Sequence, residues 1–289
     1  MEFWDIVKII FYGIIEGVTE WLPVSSTGHL ILFDKFFPLN VSAAFMNMLE
    51  YVIQLFAIFA VILVFWKRIF PVGKTQAQEG QTSSLYLKKD VLSLWGKVLI
   101  ACIPALIAFV VDKLLLENID ELTESIMIAC ALIVYGVAFL FIENRNAGKN
   151  PQITQTSELS LKTAFFIGCF QVLAVIPGTS RSGVTIIGAL LLGVSRTAAA
   201  EFTFFLAIPT MVGASGYKIL DFFLEGNTLG GTEILALVIG CAVAFAVSIL
   251  VIKFLMNFVK KHDFKVFGWY RIALGVIVLA ALVIPALIG

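Results

Sequence analysis

The stretch "EGVTEWLPVSSTGH", Glu16 to His29, interrupts an otherwise apolar N-terminal segment. Whether it is a loop in water or a break inside a bilayer decides the fold. Of 289 residues, 60% are hydrophobic and only 14% charged, against about 25% charged in a typical soluble domain. The chain therefore reads as an integral membrane protein. Twenty Lys and Arg balance twenty Asp and Glu, so the charge points to no nucleic-acid partner. No basic region precedes the first apolar stretch, so no cleavable signal peptide is expected. Cys102, Cys130, Cys169 and Cys241 stand singly in apolar segments without metal-ligand spacing and read as small buried hydrophobes.

A spanning helix needs roughly 20 apolar residues. Six stretches meet or approach that length: Ser42–Trp66, Val91–Val111, Ile126–Ile142, Ala198–Leu220, Glu233–Phe254 and Val266–Ile288. Two regions do not. Trp4–Leu22 is followed, after "PVSSTGH", by a second short arm, and Thr163–Ile176 is followed, after "PGTSRSG", by Val184–Val194. Non-helical backbone is tolerated at membrane depth where protein buries it or where it lines a watery cavity. The expected fold is all-α: one polytopic membrane domain over residues 1–289, with six transmembrane helices plus two re-entrant helical hairpins. Basic loops 67–90, 143–162 and 253–271, the last including Arg271, are expected in the cytoplasm. Loop 112–125 sets Lys113 against Glu117, Asp120, Glu121 and Glu124, and loop 221–232 carries only Asp221 and Glu225. Both are placed outside, with the two termini.

The two hairpins resemble each other at an offset of 155 residues: Gly13 with Gly168, Glu16 with Gln171, Ser25 with Ser180, Thr27 with Ser182, Gly28 with Gly183. A hairpin plus three spans is an odd number of crossings, so the halves, about 1–145 and 160–289, form an inverted-topology repeat joined by a cytoplasmic loop. Such repeats bind substrate near the midplane, where the halves meet.

Glu16 and Glu20 are four apart and share a helix face. Intramembrane carboxylates are functional candidates by default, and two together call for a divalent metal, an arginine or a shared proton. Among the hydroxyls of "PVSSTGHL", one is expected to cap the next helix, Thr27 before Ser25 or Ser26. His29, three residues after Ser26, is placed to take its proton. "PGTSRSG" reads as an anion cradle. Gly178 and Gly183 free the backbone, Thr179, Ser180 and Ser182 flank Arg181, and a helix starting near Gly183 aims its positive end at the same point. A simple Arg181 ion pair with Glu16 or Glu20 is the competing reading. Position by position, the first hairpin holds the acid–base groups and the second the cation, which favours an enzyme over a carrier. An inverted-repeat secondary transporter, or a flippase for an anionic lipid, remains the rival class. Glu50 and Glu201, near the starts of two spans, are expected to support the hairpins rather than pair with Arg181.

"EGVTEWLPVSSTGH" and "PGTSRSG" resemble the two signature motifs of the undecaprenyl-diphosphate phosphatase family, the bacitracin-resistance proteins. The similarity extends through "EYVIQL", "FWKR" and "RTAAAEFTFFLAIPTM", although loop 67–90 is longer and more polar than in the family. The resemblance implies a multi-pass enzyme of the bacterial plasma membrane that removes the terminal phosphate of a C55 polyprenyl diphosphate, with its site opening on the outer face. It also implies a divalent cation, Mg²⁺ or Ca²⁺ in its place, and leaves room for a homodimer. The expected catalytic set is Ser26, His29, Arg181 and Glu20. Glu16 and Glu20 are expected to hold the metal, and Ser25, Thr27, Gly178, Thr179, Ser180, Ser182 and Gly183 to position substrate. His29 or a metal-activated water in the nucleophile's place are the open variants.

Overall fold

The computed structural model describes residues 3–74, 85–111, 114 and 119–288. The expected charge contribution of Lys113 and Glu117 lies outside the described residues. Six helices are long and apolar enough to cross a bilayer: Ala43–Val64, Lys89–Ala108, Glu121–Asn146, Arg196–Leu224, Gly231–Phe258 and Lys265–Ala286. They match the six expected spans, each with shifted ends.

In chain order, α1 (Phe3–Thr19) and α2 (Ser26–Phe36) flank the first break. There follow α3 (Ala43–Val64) and the single turn α4 (Trp66–Ile69). A short ribbon of β1 (Val72–Lys74) and β2 (Leu85–Leu87), paired antiparallel, is a small addition to an all-helical fold. Next come α5 (Lys89–Cys102) and α6 (Ala105–Val111), separated at Pro104, where the missing N–H interrupts the helix. After α7 (Glu121–Asn146), the helices α8 (Leu161–Val172) and α9 (Arg181–Leu191) flank the second break. The chain finishes with α10 (Arg196–Leu224), α11 (Gly231–Phe258), α12 (Lys265–Val278), a π turn and α13 (Ile284–Ile288). At 1.5 Å per residue, α2, α8 and α9 each reach only about 16–18 Å, half of a hydrocarbon core of about 30 Å.

The packing is cross-wise. α1 and α2 touch each other, as do α8 and α9, but each first arm finds its main neighbour in the other half: α1 lies on α11 and α8 on α5. Other long-range contacts include α3 on α11 and α10 on α5, α2 on α12 and α9 on α7, α3 on α10, and α7 on α12. Glycines set the closeness. A Cβ on Gly13 would lie 2.8 Å from the Gly240 carbonyl oxygen, and one on Gly168 only 2.1 Å from that of Ala101. The two glycines occupy the same position in the offset of 155.

The basic segment expected as loop 253–271 is a turn of only a few residues between α11 and α12. Lys253 belongs to α11, and Arg271 is a fully buried residue of α12 rather than a loop cation. The helix pattern explains the misplacement: "VFGWYRIALGV" continues apolar through Arg271, and one charge does not end a helix whose partners satisfy it.

Replacing Gly168 by Ala is expected to lower thermal stability in detergent by about 1–3 kcal/mol, as overpacking does. Gly96→Ala in α5, where a Cβ meets open space, serves as control and is expected to hold or raise it, by up to about 1 kcal/mol of helix propensity.

Candidate active site

Two serines, Ser25 and Ser180, are the only non-glycine residues with positive φ among the described residues, at 73° and 67°. Such backbone costs about 1–3 kcal/mol and persists where the surroundings over-determine it. Each serine ends a break and caps the following helix: Ser25 Oγ accepts from the Gly28 N–H at 3.3 Å, and Ser180 Oγ from the Gly183 N–H at 3.2 Å. The cap of α2 is thus Ser25, not Thr27, which is exposed in the first turn. α9 begins at Arg181, two residues earlier than the glycine where it was expected. With Ser180 as cap, the first-turn N–H groups of Arg181 and Ser182 are left without intrahelical acceptors.

The tips meet. Ser182 Oγ donates toward the Glu20 carbonyl at 3.2 Å and the Leu22 carbonyl at 3.4 Å. Arg181 Nη2 forms an ion pair with Glu20 Oε1, and its Nη1 donates to Thr210 Oγ1 at 3.2 Å. The other oxygen of Glu20 accepts from the Ser26 hydroxyl at 3.0 Å. Glu20 therefore links Ser26, at the start of α2, to Arg181, at the start of α9. Glu16, buried one turn earlier, has Oε1 without a hydrogen-bond partner, and so does its counterpart Gln171.

His29 takes other partners than Ser26. Its Nδ1 lies 2.7 Å from the Ser25 carbonyl, which can only accept, so Nδ1 carries the proton. In the neutral ring Nε2 is then the basic nitrogen, and it receives the Tyr270 hydroxyl at 2.7 Å. Tyr270 also stacks its ring on the imidazole. In this geometry the group next to the Ser26 hydroxyl is the Glu20 carboxylate.

Gly178 and Thr179 contribute carbonyls to a cation that sequence patterns left in a loop. Arg271 donates Nη2 to the Gly178 oxygen at 2.9 Å and the Thr179 oxygen at 3.0 Å, and Nη1 to the Pro23 oxygen at 3.2 Å. It binds both tips from beneath. A Cβ on Gly178, whose φ is +83°, would come within 2.6 Å of the Ile128 backbone, so that position admits only glycine. The signal that could have found Arg271 is its apolar neighbourhood, "GWYRIALG", since an arginine inside such a run has to be satisfied by protein. Glu201 pairs with Arg68 at 2.7 Å rather than with Arg181, and Glu143 holds Arg196 through two oxygens at 2.9 and 3.1 Å.

Among the described residues no three His, Cys, Asp or Glu gather into a metal cage. Glu16 and Glu20 fit a lighter arrangement. Mg²⁺ commonly takes one or two carboxylates plus waters and substrate phosphates, and the unpartnered Glu16 oxygen suits such an ion.

Residues 9–277 match the family described as Bacitracin resistance protein BacA. The chain is 55% identical over 279 residues to an undecaprenyl-diphosphatase of Enterococcus faecalis, covering 96% of this chain and 98% of that protein. It is 53% identical to one of Lachnoclostridium phytofermentans, covering 96% and 97%, and 53% identical to one of Streptococcus suis, covering 95% and 96%.

Arg271→Met is expected to destabilise the fold by about 3 kcal/mol or more in detergent unfolding, since hydrogen bonds to a charged group contribute about 1.5–3 kcal/mol each. Arg271→Lys should recover only part of this, because an ammonium lacks the fork that reaches three carbonyls.

Proposed function

The chain belongs to the BacA bacitracin-resistance family, and from that membership we infer that it is an undecaprenyl-diphosphatase. It is a multi-pass membrane hydrolase acting on a polyprenyl diphosphate lipid. The two broken helices are its re-entrant hairpins, and the halves around them form the inverted repeat. Support comes from the paired contacts between halves and from Ser25 and Ser180 at equivalent strained caps. By the distribution of basic residues, the loop at 67–90, the connection between the halves and the α11–α12 turn face the cytoplasm, and the termini and the site's opening face outward.

One observation carries the catalytic reading: Arg181, Glu20 and Ser26 are joined across the two breaks. The terminal phosphate of the substrate replaces Glu20 as the partner of Arg181, whose planar fork fits phosphate oxygens. The first-turn N–H groups of α2 and α9 face the same anion. Ser26 Oγ bonds to the terminal phosphorus, the phosphoanhydride bond breaks, and the lipid monophosphate leaves. The serine proton passes to Glu20 Oε2, its present acceptor. Water then attacks the phosphoserine, Ser26 Oγ departs and takes back a proton, and inorganic phosphate is released. His29 is the base for that water: Nε2 exchanges the Tyr270 hydroxyl for the water and accepts its proton, while the Ser25 carbonyl keeps hold of Nδ1–H. Ser25, Ser180 and Ser182 keep the tips in register, with Thr27 beside the entrance and Thr179, Gly178 and Gly183 shaping the second tip. A divalent cation, Mg²⁺ or Ca²⁺, bound by Glu16 and Glu20, would supply charge neutralisation to the phosphates.

Phosphate release from a polyprenyl diphosphate in detergent tests this. Wild type should release phosphate, less with chelator, and Arg181→Ala or Ser26→Ala should each lose roughly 10²- to 10³-fold in rate, the scale of removing one transition-state group. Single-turnover trapping separates the nucleophiles: phosphoserine at Ser26 supports the scheme, while acid-labile phosphohistidine or no adduct replaces it with attack by His29 or water.

A further inference from the structure

At the ends of α3, α10 and α11, where basic residues gather, a concavity of about 270 Å³ opens. At about 30 Å³ per water, it has room for a phosphate group and its hydration. Three cations line it, Arg68, Lys253 and Lys260. Only Arg68 has a carboxylate, the buried Glu201. Among the described residues neither lysine has an ion-pair partner, and Lys260 reaches only Asn257 Oδ1, at 3.4 Å. Of the other cations nearby, Arg196 is paired with Glu143 and Lys265 with Asp263, whereas Lys67 and Lys261, like the two lysines, have no ion pair among the described residues.

Lys253 lies in the last turns of α11 and Lys260 just past its end at Phe258, so both cations stand at the same end of that helix. Like charges drawn into one recess repel unless an anion comes between them. The recess also has neutral donors and a dipole. Thr197 is the second residue of the 29-residue α10, so the positive end of that helix opens onto the cavity. Met256 forms part of the wall, and the exposed Leu250 and Phe254 continue the outer face of α11 into the span. A polar, cationic floor beside an apolar ramp suits a headgroup with a chain attached.

We propose that this cavity binds the phosphate group of an anionic lipid, at a site separate from the catalytic tips. Thr197 and Thr210, the latter beside Arg181, are about 20 Å apart along α10, so one ligand headgroup does not touch both. Free phosphate shares the recognising chemistry, and the apolar ramp favours the lipid. The proposal stands independently of the enzymatic reading, because none of its residues takes part in that scheme.

The test is a titration of purified full-length protein with phosphatidylglycerol and with phosphatidylcholine, read by native mass spectrometry. Wild type is expected to retain phosphatidylglycerol preferentially. Lys253→Gln combined with Lys260→Gln should weaken that binding about thirtyfold, roughly a factor of five for each cation near an anionic lipid. Both side chains are exposed, so the melting temperature and phosphate release in neutral detergent should not change. Displacement of phosphatidylglycerol by inorganic phosphate would support phosphate as the recognised group. Equal binding by wild type and the double variant would overturn the site, and phosphate binding without lipid preference would overturn its lipid assignment.

Discussion

A guanidinium with no access to water holds the two broken helices together. Burying an ion costs several kcal/mol unless good geometry and hydrogen bonds compensate. Arg271 has no carboxylate among the described residues, and its compensation is three backbone carbonyls and the nearby ring of Tyr135. Those carbonyls are available only because the helices are interrupted at Pro23 and at Gly178–Thr179. Each defect answers the other: the breaks leave acceptors that helices would have used, and the arginine leaves donors that water would have taken. Once the tips are joined, Ser182 can reach the Glu20 carbonyl and Arg181 the Glu20 carboxylate.

The two breaks share backbone features and carry different side chains. Gly13 and Gly168 let the first arms lie against foreign backbone, and Ser25 and Ser180 take the same strained cap. The side chains added to these frames diverge. Glu16 corresponds to Gln171, and Ser26 to Arg181, which pairs with Glu20. Equivalent backbones with opposite charges bring an acid and a base to one point without an additional structural device.

Much of this is legible in the sequence because apolar length and polar interruption are local signals. The six long helices and the two short pairs follow from counting, and "PGTSRSG" beside "EGVTEWLPVSSTGH" identifies the residues that meet. What escaped is long-range. Nothing local distinguishes Ser25 from Thr27 as the cap, since both are hydroxyls ahead of a helix and only a left-handed backbone decides. Nor does spacing reveal that His29 turns to Tyr270, 241 residues away, leaving Ser26 to Glu20. Arg271 was assigned to a loop because basic residues near a span's end usually belong there. Its carbonyl partners lie in two distant breaks, which no window contains.

The cross-wise packing of the first arms bears on how the chain is made. α1 carries Glu16 into the protein and Glu20 follows directly after its end, yet the helix's close neighbour is Gly240 of α11, and the arginine that pairs with Glu20 lies on α9. During synthesis both partners emerge long after α1. Until then α1 has neither its groove on α11 nor, for Glu20, the Arg181 counter-charge. The two halves are therefore not successive folding units. A chain that ends before α11 and α12 lacks both the groove that α1 packs into and the arginine that holds the two breaks, and so lacks the contacts that surround Glu16 and Glu20 in the folded protein.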